Sequence, residues 1–270
     1  MEREIKRDHY LEQLIVRKHN GLIKIVTGIR RCGKSYLLRT LFKRHLIESG
    51  IDENHIVEMA FDLFENKPYR NPDVLYPWAT GQIKDDEKYY FLLDEVQMLD
   101  EFVSVLNGLA DRKNCDVYVT GSNARFLSRD ISTEFGGRGD EVHMFPLSFS
   151  EFMTVYDGHK YDGWNEYIIY GGIPIVVLAS TEEQKIKLLD NLFRETYIKD
   201  IVNRHKIRNA GEMEALLDFL ASAIGTLTNP NKLQKTFKSV NHSKITATTI
   251  TKYIDYLEDA FLVEKASRYD

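Results

Sequence analysis

Residues 28–35 read Gly28-Ile29-Arg30-Arg31-Cys32-Gly33-Lys34-Ser35, a G-x-x-x-x-G-K-S spacing from which the rest of the chain can be read outward. The apolar run LIKIVT at 22–27 leads into it. The segment KSYLLRTLFKRHLIESG at 34–50 leads out, with Leu37, Leu38, Leu41, Phe42 and Leu46 recurring at helical spacing. A strand therefore enters a glycine-rich turn and a helix leaves it. Gly28 and Gly33 let the backbone turn tightly and aim successive amides at one anion. The following helix presents the positive end of its dipole at the same point. Residues Gly28 to Tyr36 are thus the expected phosphate cradle. Lys34 is expected to reach the β- and γ-phosphates and the Ser35 hydroxyl to complete a Mg²⁺ shell, which makes ATP or ADP with Mg²⁺ the expected cofactors. Of Arg30 and Arg31, one is expected on phosphate or a partner acid and the other in solvent. Cys32 is either a thiol whose pKa is lowered by neighbouring cations or a small filler residue.

About sixty residues on, Tyr90-Phe91-Leu92-Leu93-Asp94-Glu95 places four apolar residues before two acids. A buried strand would deliver Asp94 to the metal at its C-terminal end and Glu95 to an attacking water. A third apolar run, CDVYVTGS at 115–122, ends beside Ser122 and Asn123. Either residue is placed to orient the water and sense the γ-phosphate, or to cap the next helix. Arg138 follows Gly136 and Gly137 and precedes the apolar run at 140–145. It reads either as a finger offered to the γ-phosphate of an adjacent subunit or as a surface ion pair. An Asp-Glu pair with a polar neighbouring strand tip suits water activation better than placement of an acceptor hydroxyl, which disfavours a small-molecule kinase.

Runs at 22–28, 55–61, 89–95, 115–122 and 140–145, separated by helical segments, predict a parallel sheet covered on both faces. Glu58 interrupts the second run. The fold class expected is α/β, a P-loop NTPase sheet, over residues 1–146. A helical lid or linker region at 147–212 and a winged-helix-like domain at 213–270 should follow. In the last, helices near 216–220, 230–240 and 246–258 precede FLVEKASRYD, which reads as the first arm of a two-stranded ribbon and suggests that the chain stops short. The 270 residues are 43% hydrophobic and 29% charged, enough for a real core and unlike a disordered or collagenous chain. Two cysteines, Cys32 and Cys115, cannot build a disulfide framework or a four-ligand zinc site. The charged first twenty residues lack a signal-peptide core, and no apolar run is long enough to span a membrane, so the cytoplasm is the expected location.

The net charge of −5 argues against a generic nucleic-acid coat. Residues 227–252 nevertheless hold Lys232, Lys235, Lys238, Lys244 and Lys252 with no acid. On a winged helix these, with Thr248, would meet the backbone of double-stranded DNA more readily than base edges. Asp255, Glu258 and Asp259 make the following turns acidic, which suits a protein partner instead.

The stretches GIRRCGKSYLL, YYFLLDEVQ, TGSNARFLS, GGRGDEVHMFPLSFSEF, YGGIP and TITKYIDYLEDAFLVEKASRYD together resemble the prokaryotic AAA-type "archaeal ATPase-like" family, related to STAND-type signalling ATPases. The resemblance runs through essentially the whole chain. It implies Gly28, Gly33, Lys34 and Ser35 on phosphate and Mg²⁺, Asp94 and Glu95 on metal and water, Ser122 or Asn123 as sensor, and Arg138 as finger. It also implies a restriction-nuclease-like domain beginning where this chain stops, and a lid arginine for which Arg194 and Arg204 are candidates. The function expected is an ATP-hydrolysing regulatory switch with a homo-oligomeric or protein partner across the nucleotide site. The alternatives are a nucleotide-gated DNA-binding module with slow turnover and a non-enzymatic protein-interaction switch.

Overall fold

The computed structural model of the chain describes residues 4–121, 135–240 and 245–266. It divides into two compact units, residues 1–180 and 181–270. Residues 147–180 thus lie in the first unit rather than with the helical region that follows.

The first unit is built on five parallel strands: β1 (Ile23–Thr27), β2 (Ile56–Ala60), β3 (Tyr89–Asp94), β4 (Cys115–Thr120) and β5 (Gly139–His143). Their order across the sheet is β2-β3-β4-β1-β5. The register aligns Val26 with Thr120, Leu93 with Val119, and Ala60 with Asp94. All five therefore end together, and β4 stands between the strand that feeds the glycine-rich turn and the strand that carries Asp94. Alternation sorts the side chains onto two faces. Ile23, Ile25, Val57, Met59, Phe91, Leu93, Val117 and Val119 form one core, closed by Leu75, Val105, Leu106 and Leu109. Those four come from helices α3 (Pro72–Gly81) and α4 (Phe102–Ala110).

The opposite face carries Val26, Tyr90, Leu92, Tyr118 and Val142, packed on Leu14, Leu37, Leu38, Leu41, Phe42 and Leu46. Leu14 belongs to α1 (Asp8–Val16). The others lie on α2, residues 34–48, whose middle section Leu37–Phe42 is π-helical. Glu58 does not break β2, because its carboxylate pairs with Lys43 (2.7 Å) and Arg39 (3.7 Å) on α2. The helix expected over 123–134 lies outside the described residues.

Three short helices complete this unit: α5 (Phe149–Met153), α6 (Lys160–Tyr170) and α7 (Pro174–Val177). Ser148 and Glu151 form a capping box that starts α5. The segment joining β5 to α5 is held at both ends. A Cβ on Gly28 would overlap the Met144 carbonyl, and one on Gly172 would overlap the Leu147 carbonyl. Leu147 N–H donates to the Gly172 carbonyl at 2.7 Å.

The second unit contains helices only, among its described residues. Residues 182–205 form one helix, α8, π-helical over Leu192–Ile198. It is followed by α9 (Ala210–Ser222), α10 (Pro230–Val240) and α11 (Ala247–Asp259). Leu216, Leu233, Phe237, Ile250, Tyr253 and Leu257 meet in its core with Ile198, Ile201 and Met213. The three terminal helices expected from the periodicity are present. Residues 263–266, read above as the start of a ribbon arm, form no strand. Among the described residues no helix is long and apolar enough to cross a membrane.

Candidate nucleotide site

The loop between β1 and α2 is shaped by backbone that most residues avoid. Gly28, Arg31 and Gly33 have φ of +137°, +72° and +104°. At Gly28 only a residue without Cβ fits against Met144; Arg31 accepts the left-handed conformation at a cost of about 1–2 kcal/mol. Arg30 and Arg31 both lie exposed on the crest of the loop, and Tyr36 is exposed just beyond it. Cys32 is fully buried beneath, and burial pushes its thiol pKa up despite Lys34 and Arg7 nearby. It is the filler rather than a reactive thiolate.

Lys34 is also buried, and its ammonium donates to the carbonyls of Gly28 (2.9 Å) and Ile29 (3.0 Å). Ser35 Oγ donates to Asp94 Oδ1 at 3.0 Å. Asp94, at the end of β3, is 2% exposed; burial raises its carboxyl pKa, and hydrogen bonds from Thr120 and Ser35 oppose the rise. Glu95 follows in the left-handed region at φ +55°, its N–H donating to Thr120 Oγ1 (3.0 Å) and its carboxylate accepting from Gln97 Nε2. Thr120 in turn donates to Asp94 Oδ1. The five residues Lys34, Ser35, Asp94, Glu95 and Thr120 therefore converge at the C-terminal ends of the central strands, where crevices of open α/β sheets take their ligands. A glycine cradle, a buried ammonium and a hydroxyl–carboxylate pair form a donor set that fits a magnesium-bound polyphosphate.

Three functional neighbours escaped the sequence reading. Thr120 and Gln97 are two. The third is Arg7, only 2% exposed, whose guanidinium donates to the carbonyls of Phe145 (2.6 Å) and Cys32 (3.5 Å) and pairs with Glu151 (3.0 Å). It ties the N-terminal segment to the back of the loop. YGGIP also acquires a place, since a Cβ on Gly33 would come within 3.9 Å of the Pro174 ring.

Other expected residues are not brought to this point. Ser122 and Asn123 lie outside the described residues, as does Lys244. Arg138 sits where β1 and β5 begin, its carbonyl accepting from Ile23 N–H at 2.8 Å. That is the opposite end of β1 from the loop, about 16 Å away for five residues of strand, and its side chain pairs with Asp111 at 2.5 Å. It does not serve the phosphate cradle of its own chain. In the second unit Arg194 pairs with Asp190 (2.8 Å) and Glu214 (3.7 Å), and Arg204 with Asp200. Lys232, Lys235, Lys238, Thr248 and Lys252 are all exposed there.

Residues 20–153 match the AAA domain family, and residues 161–270 match a domain of unknown function, DUF8612. An uncharacterised protein of Haemophilus influenzae is 35% identical over 98% of this chain and 67% of its own length. One from Methanocaldococcus jannaschii is 27% identical over 89% of this chain and 55% of its own. The chain thus spans between about half and two-thirds of these relatives. Among solved structures, a Walker-type ATPase of Pyrococcus abyssi superposes with TM-score 0.63 at 16% identity, covering 95% of this chain and 90% of that one, a likeness of fold. With the glycine loop, Lys34 and Asp94 gathered at the strand ends, the chain belongs to the AAA-domain family of P-loop ATPases.

Proposed function

We propose that this chain binds and hydrolyses MgATP and uses the nucleotide state as a switch. The observation that carries the reading is the convergence of Lys34 Nζ, Ser35 Oγ and Asp94 Oδ1 beside a loop bent by Gly28 and Gly33. The Lys34 ammonium, now spent on loop carbonyls, would transfer its hydrogen bonds to β- and γ-phosphate oxygens. Ser35 and Asp94 would hold Mg²⁺, which when bound neutralises charge on the phosphates. Glu95 is the base positioned to orient water, with Ser122 or Asn123 sensing the γ-phosphate. Arg138, remote from the loop of its own chain, would act on a neighbouring subunit. Calorimetry with ATP and ADP tests the reading. Micromolar binding that Lys34→Ala weakens at least about tenfold is expected; no uptake by folded protein, or an unchanged affinity in the variant, overturns it.

The lysine face of the second unit supports DNA contact as a second reading. On α10, Leu233 and Phe237 are buried, while Lys232, Lys235 and Lys238 lie on the opposite face without ion pairs among the described residues. With a winged helix completing this unit, that face would lie along a duplex backbone. Binding should weaken steeply with salt, and replacing Lys235 and Lys238 by alanine should lower the salt slope by about 2. Equal retention of DNA by the double variant at every salt concentration would remove the reading. What the switch drives in proteins as long as the relatives is a partner surface, either protein or DNA, that these same tests separate.

A further inference from the structure

Thr120 closes β4 and is completely buried. A hydroxyl has one hydrogen to give and two lone pairs to accept, and Thr120 uses both capacities on the acidic pair. It donates to Asp94 Oδ1 and accepts the Glu95 N–H at 3.0 Å. A single side chain thus grips one acid through its carboxylate and the next through its backbone. The second grip falls on a strained unit. Glu95 has φ +55°, a conformation that is unfavourable for a non-glycine residue and persists only where neighbours hold it.

The first grip is selective between the two carboxylate oxygens. Both Thr120 and Ser35 donate to Oδ1 of Asp94, and Oδ2 receives no donor among the described residues. If Ser35 leaves this bond to act as a ligand, Thr120 is the donor that remains on Oδ1. The strand order makes this placement inevitable, because β4 lies between β1 and β3. The tip of β4 therefore stands between the strand that feeds the loop and the strand that carries the acids.

We propose that Thr120 is the positioning residue of this site, fixing the rotamer of Asp94 that keeps Oδ2 available to a divalent cation and fixing the backbone from which the Glu95 carboxylate departs. The inference rests on the nucleotide reading above. Thr120→Val keeps the shape and removes the hydroxyl; Thr120→Ser keeps the hydroxyl. Calorimetric titration of the full chain with a non-hydrolysable ATP analogue, with and without Mg²⁺, is read beside steady-state ATP turnover. In Thr120→Val, analogue affinity without Mg²⁺ should stay within about twofold. The Mg²⁺ concentration needed for half-effect should rise, and kcat fall, by about 10–100-fold, with KM for ATP little changed. Thr120→Ser should recover both to within about threefold. Should valine prevent folding, Thr120→Ala carries the same expectations. A valine or alanine variant with the wild-type Mg²⁺ requirement and kcat overturns the proposal, as does a serine variant as defective as valine. Wild-type protein that binds no analogue under either condition overturns the nucleotide reading itself, and this one with it.

Discussion

The site is held together by single polar atoms that the chain itself partners. Lys34 rests on two loop carbonyls, Ser35 on Asp94, and Glu95 on Gln97. Polar groups taken out of water need such partners, so the site is folded around its own hydrogen bonds. Asp94 is the exception in energy. Burial raises its pKa even though two hydroxyls donate to it. A carboxyl that titrates higher in the folded than the unfolded chain binds protons more tightly when folded, so its charge costs stability once pH passes the folded value. Asp94→Asn, which keeps an oxygen acceptor without the charge, should therefore melt about 2–4 °C above wild type at pH 7. The gap should close as pH falls toward the ordinary carboxylate range, while Mg²⁺-dependent nucleotide binding is lost at every pH. Scanning calorimetry across that range checks the first part; a variant less stable than wild type at pH 7 contradicts it.

Among the elements, those with their explanation inside a few consecutive residues were legible without coordinates. GIRRCGKS states a turn and the start of a helix, and YYFLLDE a buried strand ending in two acids, each in one short window. Thr120 was not legible, because its role comes from strand order, which places β4 beside β3. Nor was the soundness of β2, since Glu58 is rescued by Lys43 and Arg39 from a helix that precedes it. Arg7 was hidden for the same reason. MEREIKRDHY has the composition of a solvated tail, and only tertiary contact turns one of its arginines inward over the Tyr10 ring. Deleting a buried guanidinium strands its ion-pair partner Glu151 and the two carbonyls to which it donates, which costs more than the contacts themselves contribute. Arg7→Ala should destabilise the chain by about 2–4 kcal/mol in a urea titration, whereas Arg44→Ala, which removes an exposed pair with Glu4, should cost about 0–1 kcal/mol. Equal losses in the two variants would contradict the structural account of Arg7.

At the scale of the whole molecule, the residues proposed to hold phosphate gather where the strands end, and Arg138 stands where they begin, paired with Asp111. An arginine so placed can meet a phosphate only across a subunit boundary, and complementation exposes such sharing. Lys34→Ala supplies Arg138 without binding nucleotide, and Arg138→Ala binds nucleotide without the arginine. Each alone should lose about 10³-fold or more in turnover, and mixing them should restore a substantial fraction, increasing with protein concentration. Mixtures no more active than their components would confine Arg138 to its ion pair. At this scale the sequence reading was least informative, because residues 147–180, which look like the start of a helical region, pack within the first compact unit. The terminal ribbon was read from FLVEKASRYD following three helices, and its described residues, 261–266, form no strand.

The strap from Met144 to Leu147 has one further consequence. It is pinned at each end by a carbonyl oxygen pressed against a glycine, Gly28 at one end and Gly172 at the other. Even a methyl group at either glycine would drive into main chain that cannot swing aside as a side chain would. Two positions far apart in the gene are therefore subject to one shared steric veto. Saturation of both codons, followed by selection for soluble folded protein without reference to activity, should return glycine at each.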